Sequence, residues 1–188
     1  GFDNEVEALV GRVGGDGEEE IAAPDGDVRR GVEAGVDGGM DDIGLSAGRN
    51  RLVDLVETAY VLLVDDDCLF YESTRLEEMI AVLDAGKYNL VGGNMGWETM
   101  HGCLKKDGDI LHILKGAFRN EDAQGNRRYD FCHNFFMAYT DVMKQARWPE
   151  EIKIYAEHVH FFWTNRQALK VTKCNVSVGH CHVRDSGI

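Results

Sequence analysis

Apolar runs and polar segments alternate along the chain from residue 43 onward, and their spacing predicts strands and helices in turn. Residues 60–64 and Phe135–Tyr139 are continuous apolar runs, typical of strands buried on both faces. The other elements predicted from apolar spacing are helices over 46–57, 75–84, 140–147 and 157–168, and strands over 89–93, 169–171 and 175–178. Strands that alternate with helices favour an α/β fold with a mostly parallel sheet.

Residues 1–41 differ from the rest of the chain because they are rich in glycine and acidic residues. Four apolar residues at helical spacing predict a short helix over 4–13. Residues 21–23 predict a weak strand, which ends at a turn over 24–27. We recognise no opening strand here and expect this part to be diverged or truncated.

The chain length of 188 residues suits a single domain over 1–188 with a sizeable core. Within it, residues 97–131 combine short strand patterns with a polar turn and predict a hairpin-rich insertion. A hydrophobic content of 44% indicates a globular protein, and a net charge of −13 without a basic stripe argues against nucleic acid as a partner.

The sequence shows no run of 18 apolar residues that would predict a membrane span, and no recognisable signal peptide. Five cysteines at irregular spacing predict no disulfide framework, although one or two bridges would be compatible with a secretory lumen. Localisation is therefore left open: Golgi lumen or membrane-associated if an anchor lies upstream, and otherwise cytoplasmic.

Three adjacent acids, Asp65, Asp66 and Asp67, follow directly after the first apolar run. Such a strand delivers them to the carboxyl edge of the sheet, where open α/β folds bind ligands. Neighbouring carboxylates repel one another, and a cation allows all of them to stay ionised. Mg²⁺ or Mn²⁺ bridging to a phosphate is the natural partner, and a solvated acidic turn is the equally weighted alternative.

A glycine-rich segment over 44–50 precedes this strand by one helix and contains Arg49 and Asn50. A helix start offers backbone N–H groups and a dipole to an anion, and Arg49 adds a fork for phosphate or for the carboxylates. An ordinary helix start explains the same residues, and only the position before the acidic strand favours the anion site.

Two further segments carry titratable groups. Glu157 and His158 begin a predicted helix, where either could act as a general base, or where the histidine packs on the rim of an amphipathic helix. His180 follows a predicted strand and could complete a hard-metal site with Asp65 and Asp67. The spacing of the nearby cysteines and histidines matches no zinc motif.

Seven segments in order resemble a GT-A glycosyltransferase of the family-2-like group that includes the ganglioside-synthesising β-1,4-N-acetylgalactosaminyltransferases. They are residues 44–50, 60–67, 76–83, 90–93, 133–140, 157–162 and 176–182. Residues 21–27 also resemble the second strand of that fold.

The resemblance implies a role for each matching residue. It implies that the nucleotide contacts Asp25, Arg49, Asn50, Asp65 and Asp66, that Mn²⁺ or Mg²⁺ binds Asp65, Asp67 and His180, and that Glu157 or His158 is the acceptor-activating base. Residues 134–136 would form the floor below the donor sugar.

The same resemblance implies an inverting, metal-dependent enzyme that moves a sugar, N-acetylhexosamine by preference, from a UDP-sugar to a glycan or glycolipid hydroxyl. The family keeps a second acid near the base, whereas this chain has histidine at 158 and 160. A non-catalytic descendant that binds sugar nucleotide or glycan is therefore the first alternative. A metal-dependent nucleotidyl- or phosphotransferase is the second. It would need a phosphate-gripping lysine or a glycine-rich loop after the first strand, and we recognise neither in the sequence.

Overall fold

The computed structural model describes residues 6–11, 43–65, 67–96, 99–152 and 156–180. These residues form one six-stranded sheet, one two-stranded ribbon and four helices. The strands are β1 (Val6–Gly11), β2 (Tyr60–Asp65), β3 (Cys68–Leu69), β4 (Leu90–Met95), β5 (Gly102–Asp107), β6 (Ile110–Lys115), β7 (Phe135–Tyr139) and β8 (Val171–His180). The helices are α1 (Leu45–Leu55), α2 (Leu76–Asp84), α3 (Thr140–Gln145) and α4 (Glu157–Asn165).

The strand order of the large sheet is β1-β2-β7-β4-β8-β3. Strands β1, β2, β4 and β8 run in one direction, whereas β7 and β3 run against their neighbours. The α/β prediction is confirmed, and the sheet is mixed because β7 is antiparallel at its centre. A strand parallel to β4 would need a crossover connection, which is usually a helix. The described residues between β4 and β7 contain the β5–β6 ribbon but no helix, which agrees with the antiparallel direction of β7.

Strand β2 is buried on both faces, as its apolar run predicts. Val61 and Leu63 pack on one side in a cluster that includes α1 and α4 residues, and Leu62 and Val64 pack on the other side with α2. Successive strand residues point to opposite faces, so one six-residue segment joins both halves of the core. Packing on both faces consequently fixes β2 where it ends in Asp65.

Residues 6–11 form a strand that pairs in parallel with β2, from Val6 opposite Tyr60 to Gly11 opposite Asp65. The predicted helix over 4–13 is therefore wrong. Residues 1–41 do supply a strand to the sheet, contrary to the expectation that this part lacks one. The predicted strand over 21–23 lies outside the described residues.

The predicted helices and strands from residue 43 onward are otherwise confirmed, with shifts of a few residues at their ends. The two predicted carboxy-terminal strands are one, β8, whose register against β4 shifts between Gly92 and Asn94. Ser46 does not cap α1, since its hydroxyl donates to the carbonyl of Ile152 at 2.6 Å. Thr74 likewise does not cap α2, and its hydroxyl donates to the carbonyl of Ser177.

The β5–β6 ribbon lies within the segment predicted to be a hairpin-rich insertion. Leu104 of β5 is buried in the core, while Ile110 and Ile113 of β6 are exposed. Gly102 is required where the ribbon begins, because an added Cβ would overlap the carbonyl of Leu114. None of the described helices has the length and apolar character needed to cross a bilayer.

Candidate active site

The site lies at the edge of the sheet where β2 and β4 end and β7 begins. Because β7 is antiparallel to both, its first residues meet the last residues of its neighbours. A cleft of about 220 Å³ opens there. Its lining consists of Asp65, Met95, Met100, His133, Asn134 and His158.

Arg49 joins this edge to the helix beside it. Its side chain is buried in α1, and Nη2 donates to Asp65 Oδ1 at 3.1 Å while Nη1 donates to Glu157 Oε1 at 3.4 Å. The guanidinium also lies 5.8 Å from the ring centre of Trp148. One buried cation thereby pairs with the half-buried carboxylate of Asp65 and the largely buried carboxylate of Glu157. The nucleotide contact that the resemblance implies for Arg49 stays a prediction.

Both carboxylate oxygens of Asp65 are used within the protein. Oδ1 accepts from Arg49, and Oδ2 accepts from Asn134 Nδ2 at 3.1 Å. Burial raises the pKa of Asp65, and the charge of Arg49 opposes that rise. The arrangement fixes Asp65 firmly at the mouth of the cleft, and its proposed nucleotide and metal contacts stay predictions.

His158 lies in the first turn of α4 and contacts the same asparagine. Its Nδ1 is 2.6 Å from Asn134 Oδ1. Burial, together with the positive charge of Arg49, lowers the pKa of His158 to about 4, and a hydrogen bond with the backbone of Cys132 opposes that fall. The imidazole is therefore neutral at physiological pH. Its Nε2 is buried and has no hydrogen-bond partner in the part of the chain that the structure describes.

Helix α4 begins at a strained residue. Ala156 precedes Glu157 with φ 65° and ψ 3°, in the left-handed region that non-glycine residues rarely adopt. Such backbone strain persists only where surrounding contacts hold it, and it is concentrated at functional sites. Here the contact of Glu157 with Arg49 and that of His158 with Asn134 fix the first turn of the helix.

Asp67 and His180 meet beside the cleft. His180 Nε2 lies 2.7 Å from Asp67 Oδ2, and β3 pairs Cys68 with His180 directly. The second carboxylate oxygen, Asp67 Oδ1, is buried without a hydrogen-bond partner among the described residues. A carboxylate oxygen without a partner is a type of ligand that Mn²⁺ and Mg²⁺ prefer, and the metal contacts of Asp67 and His180 stay predictions. The described residues contain no group of three His, Cys, Asp or Glu side chains gathered to hold a metal.

The other predicted site residues lie elsewhere. Asn50 is buried and holds Trp148, since its Nδ2 donates to the Trp148 carbonyl and its Oδ1 accepts the Trp148 N–H, both at 2.9 Å. It does not line the cleft, and its nucleotide contact stays a prediction. Asp25 and Asp66 lie outside the described residues, as do Cys181 and His182.

Three residues that line the cleft, Met95, Met100 and His133, are not predicted from the sequence as site residues. Met95 ends β4 and touches Cys68, whose Sγ lies 3.2 Å from Met95 Sδ. Met100 donates its backbone N–H to His133 Nε2 at 3.2 Å. His133 directly precedes the residues expected to form the floor. His133 could have been predicted as a cleft residue if the direction of β7 had been known. In an antiparallel β7, the residues at its start lie at the edge of the sheet where β2 ends.

The sequence profile of glycosyl transferase family 2 matches residues 41–143. β-1,4 N-acetylgalactosaminyltransferase 2 of Mus musculus is 33% identical to this chain over 143 residues. β-1,4 N-acetylgalactosaminyltransferase 1 of Rattus norvegicus is 34% identical over 156 residues. Each alignment covers 73% of this chain and 28% of the relative, so the chain spans less than a third of the curated relatives' length.

Solved structures show the same fold at low identity. S. aureus TarS 1–349 in complex with UDP has a TM-score of 0.51 and 19% identity, covering 75% of this chain and 41% of that one. A second structure of S. aureus TarS also has a TM-score of 0.51, with 18% identity, covering 77% of this chain and 25% of that one. The fold is the GT-A arrangement, and together with the profile match the comparisons establish that this chain belongs to glycosyl transferase family 2.

Proposed function

We propose that the protein transfers a sugar, N-acetylhexosamine by preference, from a UDP-sugar to a hydroxyl of a glycan or glycoconjugate, with inversion and with a divalent metal. One observation carries this proposal. A neutral, buried histidine with an unused ring nitrogen lines the same cleft as Asp65, and the Asp67–His180 pair lies beside it. A base and a cation site next to one cleft are what glycosyl transfer from a nucleotide requires.

The donor class is supported by the relatives. The curated relatives are named N-acetylgalactosaminyltransferases, and the TarS structure of similar fold was solved with UDP. Helix α1 brings Arg49 to the end of β2, so a fixed positive charge lies behind the carboxylates that would face the nucleotide. The acceptor is proposed as a glycan or glycolipid hydroxyl from the family alone. A Golgi or membrane-associated location would depend on a further segment.

A divalent ion fits the residues present. Asp67 and His180 would hold it, because they lie side by side and Asp67 Oδ1 has no partner among the described residues. The diphosphate of the donor would supply further oxygen ligands. Bound there, the ion would offset negative charge on the departing UDP. Asp65 would contact the ribose or the water shell of the ion, since Arg49 and Asn134 already occupy its two oxygens.

The protein's own groups would handle the acceptor proton. The acceptor oxygen attacks the anomeric carbon, the bond from that carbon to the UDP oxygen breaks, and its electron pair leaves with UDP. The hydroxyl proton passes to His158 or Glu157 at the start of α4. One displacement of this kind converts an α-linked donor into a β-linkage.

The test is calorimetric titration of UDP into the chain with and without Mn²⁺, followed by an assay of transfer from UDP-N-acetylgalactosamine to glycan acceptors. UDP binding that requires Mn²⁺, together with product, would support the proposal. Mn²⁺-dependent binding without turnover would favour the non-catalytic alternative. A folded chain that binds no UDP under either condition would overturn it.

A further inference from the structure

Asn134 connects Asp65 to His158, and we propose that it is a positioning residue that holds His158 in the Nδ1–H tautomer, leaving Nε2 as the proton acceptor in transfer. The inference rests on the proposed function, because the proton in question is that of the acceptor hydroxyl. It also chooses between the two candidate bases at the start of α4.

The chemistry of the groups fixes the direction of each hydrogen bond in the series that runs from Arg49 through Asp65 and Asn134 to His158. A guanidinium only donates and an ionised carboxylate only accepts, so Arg49 and Asn134 both donate to Asp65. Asn134 must therefore turn its NH₂ group toward Asp65 and its Oδ1 toward His158. An amide oxygen cannot donate, so the 2.6 Å contact requires a hydrogen on His158 Nδ1.

The remaining nitrogen of the ring is left as an acceptor. His158 Nε2 is buried and finds no hydrogen-bond partner among the residues described, although His158 lines the cleft. A buried polar atom without a partner costs free energy, and at a functional site it indicates a group that a ligand satisfies. An acceptor hydroxyl donating to Nε2 would supply the missing partner.

Glu157 is less suited to this role. Its Oε1 accepts from Arg49, its side chain is 11% exposed, and it does not belong to the lining of the cleft. His160 lies three residues after Glu157 on α4, where Thr164 contacts its Nδ1. Of the titratable groups in the first turn of α4, His158 alone lines the cleft in the described structure.

Asn134 is suited to hold the imidazole because its own position is fixed by the pairing of β7 and by its hydrogen bond to Asp65. It directly precedes β7, whose register between β2 and β4 places it beside Asp65. The ring of His158 also packs edge-on against Phe162, with 5.1 Å between the ring centres. The partner of one imidazole nitrogen sets the protonation of the other, as it does where histidines bind metals.

The direct test is nitrogen NMR of the chain with ¹⁵N-labelled histidine at neutral pH. The chain has seven histidines, and the signal lost in His158→Gln identifies the one of interest. We expect the parent to show a protonated Nδ1 and an unprotonated Nε2. A parent protein in which His158 carries its proton on Nε2 overturns the inference. This measurement requires no variant at Asn134.

Kinetics supply the second test. Asn134→Ala should lower kcat about 10²-fold, at the low end of what a positioned general base contributes, with little change in the donor KM. It should also give a mixture of tautomers in the NMR spectrum. Asn89→Ala is the matched control, because Asn89 also joins two chain segments but lies at the opposite edge of the sheet, before β4.

The outcomes separate the two proposals. A parent with the Nδ1–H tautomer that transfers no sugar would overturn the proposed function while supporting the geometry assigned to Asn134. A parent that transfers sugar while Asn134→Ala keeps kcat and the tautomer unchanged would overturn the positioning role. A fall in kcat equal to that of Asn89→Ala would also overturn it, because both would then reflect stability alone.

Discussion

Arg49 Nη2 lies 3.1 Å from Asp65 Oδ1, and the guanidinium is almost completely buried. Its other terminal nitrogen reaches Glu157, so the end of β2 and the start of α4 share one cation. Removing one partner of a buried ion pair leaves an uncompensated charge, which costs about 3–5 kcal/mol.

Arg49→Met should therefore lower the free energy of unfolding by about that amount, measured by chemical denaturation. Arg51→Met is the matched control, because Arg51 is exposed on the same helix and should cost little. Equal stabilities of the two variants would contradict a stabilising role for the ion pairs of Arg49.

Asp67→Asn should remove the Mn²⁺ dependence of UDP binding without lowering the melting temperature, because Asp67 lies at the sheet edge beside other acids. Calorimetry with and without Mn²⁺ measures the first effect and a thermal melt the second. Asp109→Asn, in the exposed turn of the β5–β6 ribbon, should bind as the parent does. An Asp67→Asn protein that binds UDP and Mn²⁺ like the parent would show that the metal assignment is wrong.

The pH dependence of stability should include a contribution from His158. Its pKa is about 4 in the folded state and about 6.5 in the unfolded chain, so the unfolded state binds more protons between these values. Stability is then lost as the pH falls through this window, by about 2 kcal/mol between pH 7 and pH 5.

His158→Gln should remove that part of the pH dependence, because the glutamine side chain does not titrate. Denaturation of parent and variant at both pH values gives the difference, in which the shared titration of carboxylates cancels. If the two proteins lost stability in parallel, His158 would not be buried in its neutral form.

Two glycines should respond to alanine in opposite directions. At Gly93 in β4, a Cβ would overlap the ring of Phe135 and lie 2.8 Å from the carbonyl oxygen of Val176. Gly93→Ala should destabilise the protein by about 1–3 kcal/mol. At Gly48 in α1, a Cβ would meet nothing within 4 Å, so Gly48→Ala should stabilise it by about 0.5–1 kcal/mol.

Denaturation midpoints measure both effects. Stabilisation by Gly93→Ala would mean that Phe135 moves aside more easily than its full burial indicates.

The sequence predicts those elements whose burial shows directly in the local pattern of apolar residues. Strands β2 and β7 are continuous apolar runs, and α1 with the residue that follows it carries Leu52, Val53 and Val56 at helical spacing. Strand β1 is mistaken for a helix because its short apolar pattern fits either period, and pairing with β2 decides between them. The direction of β7 is invisible locally, because it depends on the path of the chain between β4 and β7.

The site shows the same division. The three acids at the end of β2 can be recognised in the sequence, and the resemblance relates Asp67 to His180, which lies 113 positions away. The contact between Asn134 and His158 could not be predicted, since it requires both the direction of β7 and the position of α4. Cleft residues such as Met95 carry no chemical signal in the sequence, because methionine fills cores as readily as binding surfaces.

The bridge from Arg49 to Glu157 spans 108 positions of the chain. Contacts between such distant segments pay their loop-closure entropy before they gain any stabilisation, so they form late in folding. We expect the helix that carries His158 to dock after strands β2 and β7 have paired. Nucleotide affinity should therefore report on the completion of folding, and refolding followed by UDP binding would lag behind refolding followed by secondary structure.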